Sequence, residues 1–236
     1  MICHSSLQQV RAVTFDLDDT LYDNSGVIDR AEKWFRAYLE SNRDLKSAGI
    51  AGCYDEFKSR TVAVNPEIIH DVTRFRRETL VSMFRYSGNS DLLAAYNADA
   101  VMKAFIAVRS TLVVPHQSFS LLRALSRKYL LGAITNGNVD AERIGLSSCF
   151  SFVLRANERL KSKPSPVIFT EAARLCDLPS HRILHVGDDI CTDLSGSKLA
   201  GMKSCLLRTD INCNNLNLKP DVEICHLAEL RILLDV

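Results

Sequence analysis

The residues best able to do chemistry in this sequence are acidic and stand in tight groups. Asp16, Asp18 and Asp19 fall within VTFDLDDTLY, directly after the apolar Ala12, Val13 and Phe15. Carboxylates crowded beside an apolar run are costly unless they share a cation or a task. An aspartate can serve as a nucleophile, and a second acid two residues on can move protons. For this stretch alone the plain alternative is a strand ending in a solvated acidic turn. A second group, GDDICTD, carries Asp188, Asp189 and Asp193. Between the two lie Thr135 and Asn136 in ITNGN, offering a hydroxyl and backbone amides, and Lys163 in KSKPSP. Lys163 would hold a phosphate and quiet a carboxylate nucleophile. Several carboxylates in one cleft repel, and a hard divalent cation would relieve them. Oxygen ligands with no histidine or thiol favour magnesium. The set suits phosphoryl transfer through an aspartyl-phosphate: Asp16 attacks phosphorus, and Asp18 protonates the leaving oxygen and then activates water.

These groups must be delivered by strand ends, and the pattern supplies them. Tyr129–Thr135, Phe150–Leu154, Ile183–Val186 and Lys203–Leu207 read as strands, the last of these closing the series. Helical segments alternate with them: one opened by Pro115, then Pro166–Cys176, Asp193–Ala200 capped by Gly201, and a terminal His226–Leu234. Asn212–Asn217 is turn-rich. Strand–helix alternation predicts an α/β fold, a Rossmann-like parallel sheet with helices on both faces, whose carboxyl ends share one edge.

The stretch after the first strand differs. Val27, Ile28, Ala31, Trp34, Phe35, Tyr38 and Leu39 recur at helical spacing. Asn42–Gly52 reads as a connection plus a helix start, and about Gly52–Val62 as a weakly periodic helix. Pro66 opens a further helix whose stripe is Ile68, Val72, Phe75, Thr79 and Met83, closed by Gly88; Asp91–Arg109 is another. The expected organisation is a catalytic core of residues 1–23 and 110–236 with an all-helical cap inserted at 24–109, over the site like a lid.

Composition narrows the class. The chain has 236 residues, 47% of them apolar and 24% charged, as in an ordinary globular protein able to bury a real core. A net charge of +1 without a basic face argues against nucleic acid. Arg123, Arg127 and Lys128 interrupt the best candidate for a membrane span. The N-terminal MICHSSLQQVR has no signal-peptide pattern, and the eight cysteines are scattered without a C-x-x-C pair. Reduced thiols and a cytoplasmic location are expected, with no obligate protein partner evident.

The four stretches FDLDDTLYD, ITNGN, SKPSPVIF and HVGDDICTD, in this order, make the chain similar to the haloacid dehalogenase superfamily of phosphatases. That resemblance implies a helical type 1 cap and assigns roles. Asp16 would be nucleophile and metal ligand. Asp18 would be the general acid/base, its backbone carbonyl also binding magnesium. Thr135 would hold the phosphate with the amide of Asn136, and Lys163 would contact phosphate and Asp16. Asp188 would be a metal ligand, with Asp193 or Asp189 completing the shell; Asp193 fits the spacing better. PEIIHDVTRFR, with TFDLDDTLYDN and AITNGN, further resembles the YigB group of bacterial phosphatases. This implies hydrolysis of flavin mononucleotide and of 5-amino-6-(5-phospho-D-ribitylamino)uracil in riboflavin synthesis, or broader action on small phosphorylated metabolites.

Other readings compete. His70, Asp71 and Arg74 are either a substrate-reading patch of the cap or a solvated helix face with an i, i+4 pair of His70 with Arg74 or a cap interaction. Arg76 and Arg77 read as surface, Trp34 and Phe35 as cap core. His185 reads as a plain strand residue. A haloacid dehalogenase needs no acid at Asp18, a phosphomutase keeps both aspartates, and an idle binding protein should have lost some of Asp16, Asp18, Lys163 or Asp188.

Overall fold

The computed structural model describes residues 2–208 and 218–236; the turn-rich Asn212–Asn217 stretch lies outside the described residues. Contacts divide the chain into two compact units. One comprises Met1–Asn24, Val113–Gly137 and Ala141–Val236, the other Ser25–Leu112 with Asn138–Asp140.

The first unit is built on a seven-stranded sheet: β1 (Ile2–Cys3), β2 (Ala12–Phe15), β3 (Leu130–Thr135), β4 (Phe152–Arg155), β5 (Ile183–Gly187), β6 (Lys203–Leu207) and β7 (Val222–Ile224). The spatial order is β1-β7-β6-β5-β2-β3-β4. Neighbours are parallel except β1 on β7. Strands covered on both faces can be apolar without interruption, and β2 and β5 are buried throughout. On one face Ile168, Phe169 and Ala172 pack with Ala12, Ile134 and Ile183. Pairing sets Phe15 opposite both Ala133 and Val186. The residues that follow β2, β3 and β5 therefore emerge side by side, where the strand order reverses.

Two features depart from the expected pattern. Lys203–Leu207 is not the last strand, because β7 follows it and β1 pairs with β7. Val222 and Ile224 are buried around a half-exposed Glu223, an alternation too short to read. Asp221 ties this edge together: its carboxylate accepts the Ser5 hydroxyl at 2.5 Å, the Ser204 amide at 3.0 Å and the Lys203 ammonium at 3.1 Å. Although burial would raise it, these donors hold the Asp221 carboxyl well below the usual range. The expected helix at Asp193–Ala200 begins earlier, as a π-helical turn over Ile190–Leu194 that runs into a short α-helix, Ser195–Leu199.

The second unit is helical. Its helices are α1 (Val27–Ser41), α2 (Arg43–Ser47), α3 (Tyr54–Val64), α4 (Val72–Tyr86) and α5 (Asp91–Arg109). Val27, Ala31, Phe35 and Leu39 are the buried stripe of α1. Phe35 meets Tyr54 edge-on at 4.9 Å and Phe105 at 5.7 Å. Arg76, expected on the surface, lies in this core instead. Its guanidinium sits 4.2 Å from the Phe105 ring centre and 4.5 Å from that of Phe35, and it pairs with Glu32. The single helix expected from Pro66 is two elements. A 3-10 turn spans Pro66–His70, and α4 starts after Asp71, whose carboxylate accepts the Arg74 amide at 2.8 Å as an N-cap. His70 and Arg74 thus do not share a helix: His70 ends the 3-10 turn and Arg74 lies in the first turn of α4. Asp140 joins this unit by donating its amide to the Ser110 hydroxyl at 2.9 Å.

Candidate active site

The carboxyl edge of the sheet gathers Asp16, Asp18, Asp188 and Asp193. Asp16 leaves β2 with its amide bonded to the Val186 carbonyl at 2.9 Å. Lys163 reaches the site from the loop that precedes α6, defined here as Pro166–Cys176. That loop is clamped from β3: the Asn136 side chain accepts the Lys163 amide at 2.8 Å and donates to the Lys163 carbonyl at 3.0 Å. The Lys163 ammonium then donates to Asp16 Oδ1 at 2.6 Å, Asp193 Oδ1 at 2.6 Å and the Ile134 carbonyl at 3.1 Å. An ammonium has three donors, and here each has an acceptor. Only 4% of Lys163 is exposed, so the ion pairs are shielded from water.

Asp188 follows β5 and accepts the Thr20 hydroxyl at 2.9 Å. Asp16, Asp188 and Asp193 place one carboxylate oxygen each within 4.8 Å of one another. Asp189 is exposed and turns elsewhere, accepting the Thr192 amide at 2.7 Å as the cap of the π-helical turn. Asp18 accepts the Tyr22 hydroxyl at 2.6 Å. A Cβ on Gly137 would come within 2.6 Å of Asp18 Oδ2, so a side chain there would displace this acid. Thr135 accepts the Gly137 amide at 2.9 Å.

Charge is out of balance in this cluster. Burial, opposed by Lys163 and reinforced by Asp193, pushes the Asp16 carboxyl up to about 8. Burial likewise lifts Asp188 to about 6, against the Thr20 hydrogen bond. Asp193 is as buried, yet Lys163 and His185 hold it down to about 2. Against burial, Asp16 and Asp193 raise Lys163 above its ordinary range. One ammonium thus serves three clustered carboxylates. The donor set is all oxygen, and the uncompensated negative charge is what a hard divalent cation would neutralise. The residues present fit such an ion.

Sequence reasoning singled out Asp16, Asp18, Thr135, Asn136, Lys163, Asp188, Asp189 and Asp193, and all but Asp189, which caps the π-helical turn instead, belong to this edge. His70, Asp71 and Arg74 belong to the helical unit, where Asp71 caps α4. It passed over Thr20 and Tyr22, which hold Asp188 and Asp18, and His185, whose ring contacts Asp193 at 2.9 Å. The signal for His185 was a lone imidazole in an otherwise apolar strand, ILHVG.

Comparison with known proteins identifies the family of the chain. The haloacid dehalogenase-like hydrolase family model matches residues 10–201. The 5-amino-6-(5-phospho-D-ribitylamino)uracil phosphatase YigB of Escherichia coli is 37% identical over 232 residues, covering 97% of this chain and 98% of that protein. A glyceraldehyde 3-phosphate phosphatase of Methanopyrus kandleri is 27% identical, covering 94% of this chain and 95% of its own. A 2-haloacid dehalogenase crystal structure from Pseudomonas syringae superposes with a TM-score of 0.84 at 31% identity, over 96% of this chain and 98% of that one. Likeness to a curated phosphatase along nearly the whole chain supports a phosphatase enzyme. With its signature residues gathered at one sheet edge and its family model spanning most of its length, the chain belongs to the haloacid dehalogenase-like hydrolase family.

Proposed function

We propose that this protein is a cytoplasmic, magnesium-dependent phosphomonoester hydrolase working through an aspartyl-phosphate on Asp16. Its proposed substrates are flavin mononucleotide and 5-amino-6-(5-phospho-D-ribitylamino)uracil. The observation that carries the reading is the buried Lys163 ammonium held 2.6 Å from Asp16 on one side and 2.6 Å from Asp193 on the other. That arrangement suits a buried carboxylate nucleophile whose charged form Lys163 favours against burial and which meets an anionic substrate. The substrate class rests on the likeness to YigB.

In this reading Asp16 Oδ attacks phosphorus, an O–P bond forms to give an acyl phosphate on Asp16, and the bond from phosphorus to the substrate's ester oxygen breaks. Asp18 gives its proton to that leaving oxygen. Asp18 then takes a proton from water, whose oxygen attacks phosphorus, and the O–P bond to Asp16 breaks to release inorganic phosphate and the free carboxylate. Thr135 and the Asn136 amide hold the phosphate, with Lys163 as countercharge. Asp16, Asp188 and the Asp18 backbone carbonyl would hold magnesium, backed by Asp193, and the ion would supply charge neutralisation at the transferring group. The proposed organisation is a catalytic core of 1–23 and 110–236 and a helical cap of 24–109, with His70, Asp71 and Arg74 as its substrate-binding residues.

The test is phosphate release, with magnesium and with chelator, from flavin mononucleotide, the pyrimidine precursor, nucleotides and sugar phosphates. Magnesium-dependent release favouring the two riboflavin-pathway compounds supports the whole reading. Release without that preference keeps the phosphatase and removes the pathway. A second reading, dehalogenation, is raised by the likeness to a 2-haloacid dehalogenase. Halide release from a 2-haloacid with no phosphate release from any ester would establish it instead, although Asp18 would then have no task.

A further inference from the structure

His185 and Thr14 take no part in the mechanism above, yet they form a buried polar pair in the first unit. Both are interior strand residues, exposed by 1% and 0%. They are register partners across β2 and β5, so parallel pairing brings both side chains to one face of the sheet. There Thr14 Oγ1 lies 3.0 Å from His185 Nδ1. On the same face, Phe169 meets the imidazole edge-on at 4.9 Å and 85°, which fixes the ring plane. The other nitrogen, Nε2, lies 2.9 Å from Asp193 Oδ1. Gly187, two residues along the same strand and so on the same face, is bare where Asp193 lies: a Cβ there would fall 2.3 Å from Asp193 Cγ. The strand therefore provides both the gap that receives the Asp193 carboxylate and the donor that orients it.

Hydrogen-bond bookkeeping decides the direction. Asp193 Oδ1 also accepts from Lys163, and an ionised carboxylate only accepts. Nε2 must then carry a hydrogen, whatever the state of Nδ1. The Thr14 hydroxyl, able to donate or accept, completes Nδ1. One oxygen of Asp193 is thus held by two donors, while Oδ2 takes the Asp189 amide at 3.3 Å. Without the imidazole the carboxylate could turn about its terminal torsion, which is soft, and Lys163 would lose its fixed second partner.

The geometry points to His185, seated by Thr14, as a positioning residue: it pins Asp193 so that Lys163 is divided between Asp193 and Asp16 rather than closing wholly on Asp16. The inference rests on the reading of Asp16 as the nucleophile, whose attack an undivided ammonium would blunt. It predicts an effect on turnover rather than on substrate capture, because His185 is sealed from solvent behind Asp193.

The test combines kinetics on p-nitrophenyl phosphate with 15N NMR of the imidazole in the full-length protein. His185→Leu should lower kcat by roughly 10–100-fold with KM moved by about twofold or less, the size usual for residues that orient a site's ligands. His185→Gln, which keeps an N–H near the Nε2 position, should recover most of that loss. Thr14→Val, isosteric and without the hydroxyl, should fall between wild type and His185→Leu. The NMR signal should show a protonated Nε2 in the wild type. An unprotonated Nε2 overturns the inference even where a variant fails to fold. So does a folded His185→Leu with wild-type kcat, or equal losses in folded His185→Leu and His185→Gln. A wild-type enzyme that turns over while the His185 variants match it defeats the positioning role alone. A wild type that releases phosphate from no ester defeats the phosphatase reading, and the positioning role with it.

Discussion

Each unit of this protein holds a cation among packed side chains, Lys163 buried and Arg76 partly so, and the two are held in opposite ways. In the helical unit Arg76 lies over the faces of Phe35 and Phe105 and pairs with a single carboxylate, Glu32. In the sheet unit Lys163 faces Asp16 and Asp193, with Asp188 close by. The first arrangement is neutral and half aromatic: a guanidinium is weakly hydrated and stacks well, so it can be buried at modest cost. The second has more negative charge than one ammonium can answer, and two of its carboxyls are pushed upward by burial. A balanced buried charge is a device for packing; an unbalanced one persists because something not in the chain completes it. That contrast, more than burial itself, separates structure from site.

The contrast can be broken most sharply at Asp16. Asp16→Asn should cut phosphate release by about four orders of magnitude or more. Its melting temperature should hold or rise in chelator, since one of the crowded carboxylates is gone. Substantial residual turnover would sink the covalent scheme. Lys163→Met should lose turnover and also about 3–5 kcal/mol of stability, read by denaturant unfolding, because it strands Asp16 and Asp193 in the interior.

The imbalance should also show in pH. Asp16 and Asp188 have folded-state values of about 8 and about 6, above the ordinary 3.8. A carboxyl raised on folding contributes stability at low pH that is lost as pH rises through its folded value. Chelated protein should therefore lose melting temperature between about pH 4 and 8. Asp193, held at about 2, acts oppositely, but only below pH 4. Magnesium should lift the melting temperature most at the alkaline end, and a flat profile in chelator would contradict the charge excess. The smallest effect belongs to the balanced cation. Arg76→Met should cost about 1–2 kcal/mol through the lost ring contacts and ion pair, while kcat stays within about twofold. A large fall in kcat would mean that Arg76 belongs to the chemistry after all.

Much of this was written in local pattern. The periodicity of α1 and α5, the Pro and Gly punctuation, and the acids that end β2 and β5 are all short-range signals, and with them came Asp16, Lys163 and Asp188 as a set. Arg76 was misjudged because a guanidinium among aromatics in sequence looks no different from one on a surface. The helix expected at Pro66 was broken by Asp71, which caps α4 with its own carboxylate rather than continuing the turn.

The sequence alone determined which residue types lie at the strand ends, and hence that aspartates from β2 and β5 would meet on one edge of a parallel sheet, because alternation and strand-terminal placement are local properties of the chain; Lys163 joins them from a loop, through the Asn136 clamp. Tertiary structure decided what spacing cannot. The π-helical turn after β5 sets the rotation that sends Asp193 inward and leaves Asp189 outside. Pairing of β2 with β5 put Thr14 against His185, and a three-residue strand recruited the chain's first residues to the sheet edge. Each depends on registers and distances between segments far apart in the chain, which exist only once the chain has folded.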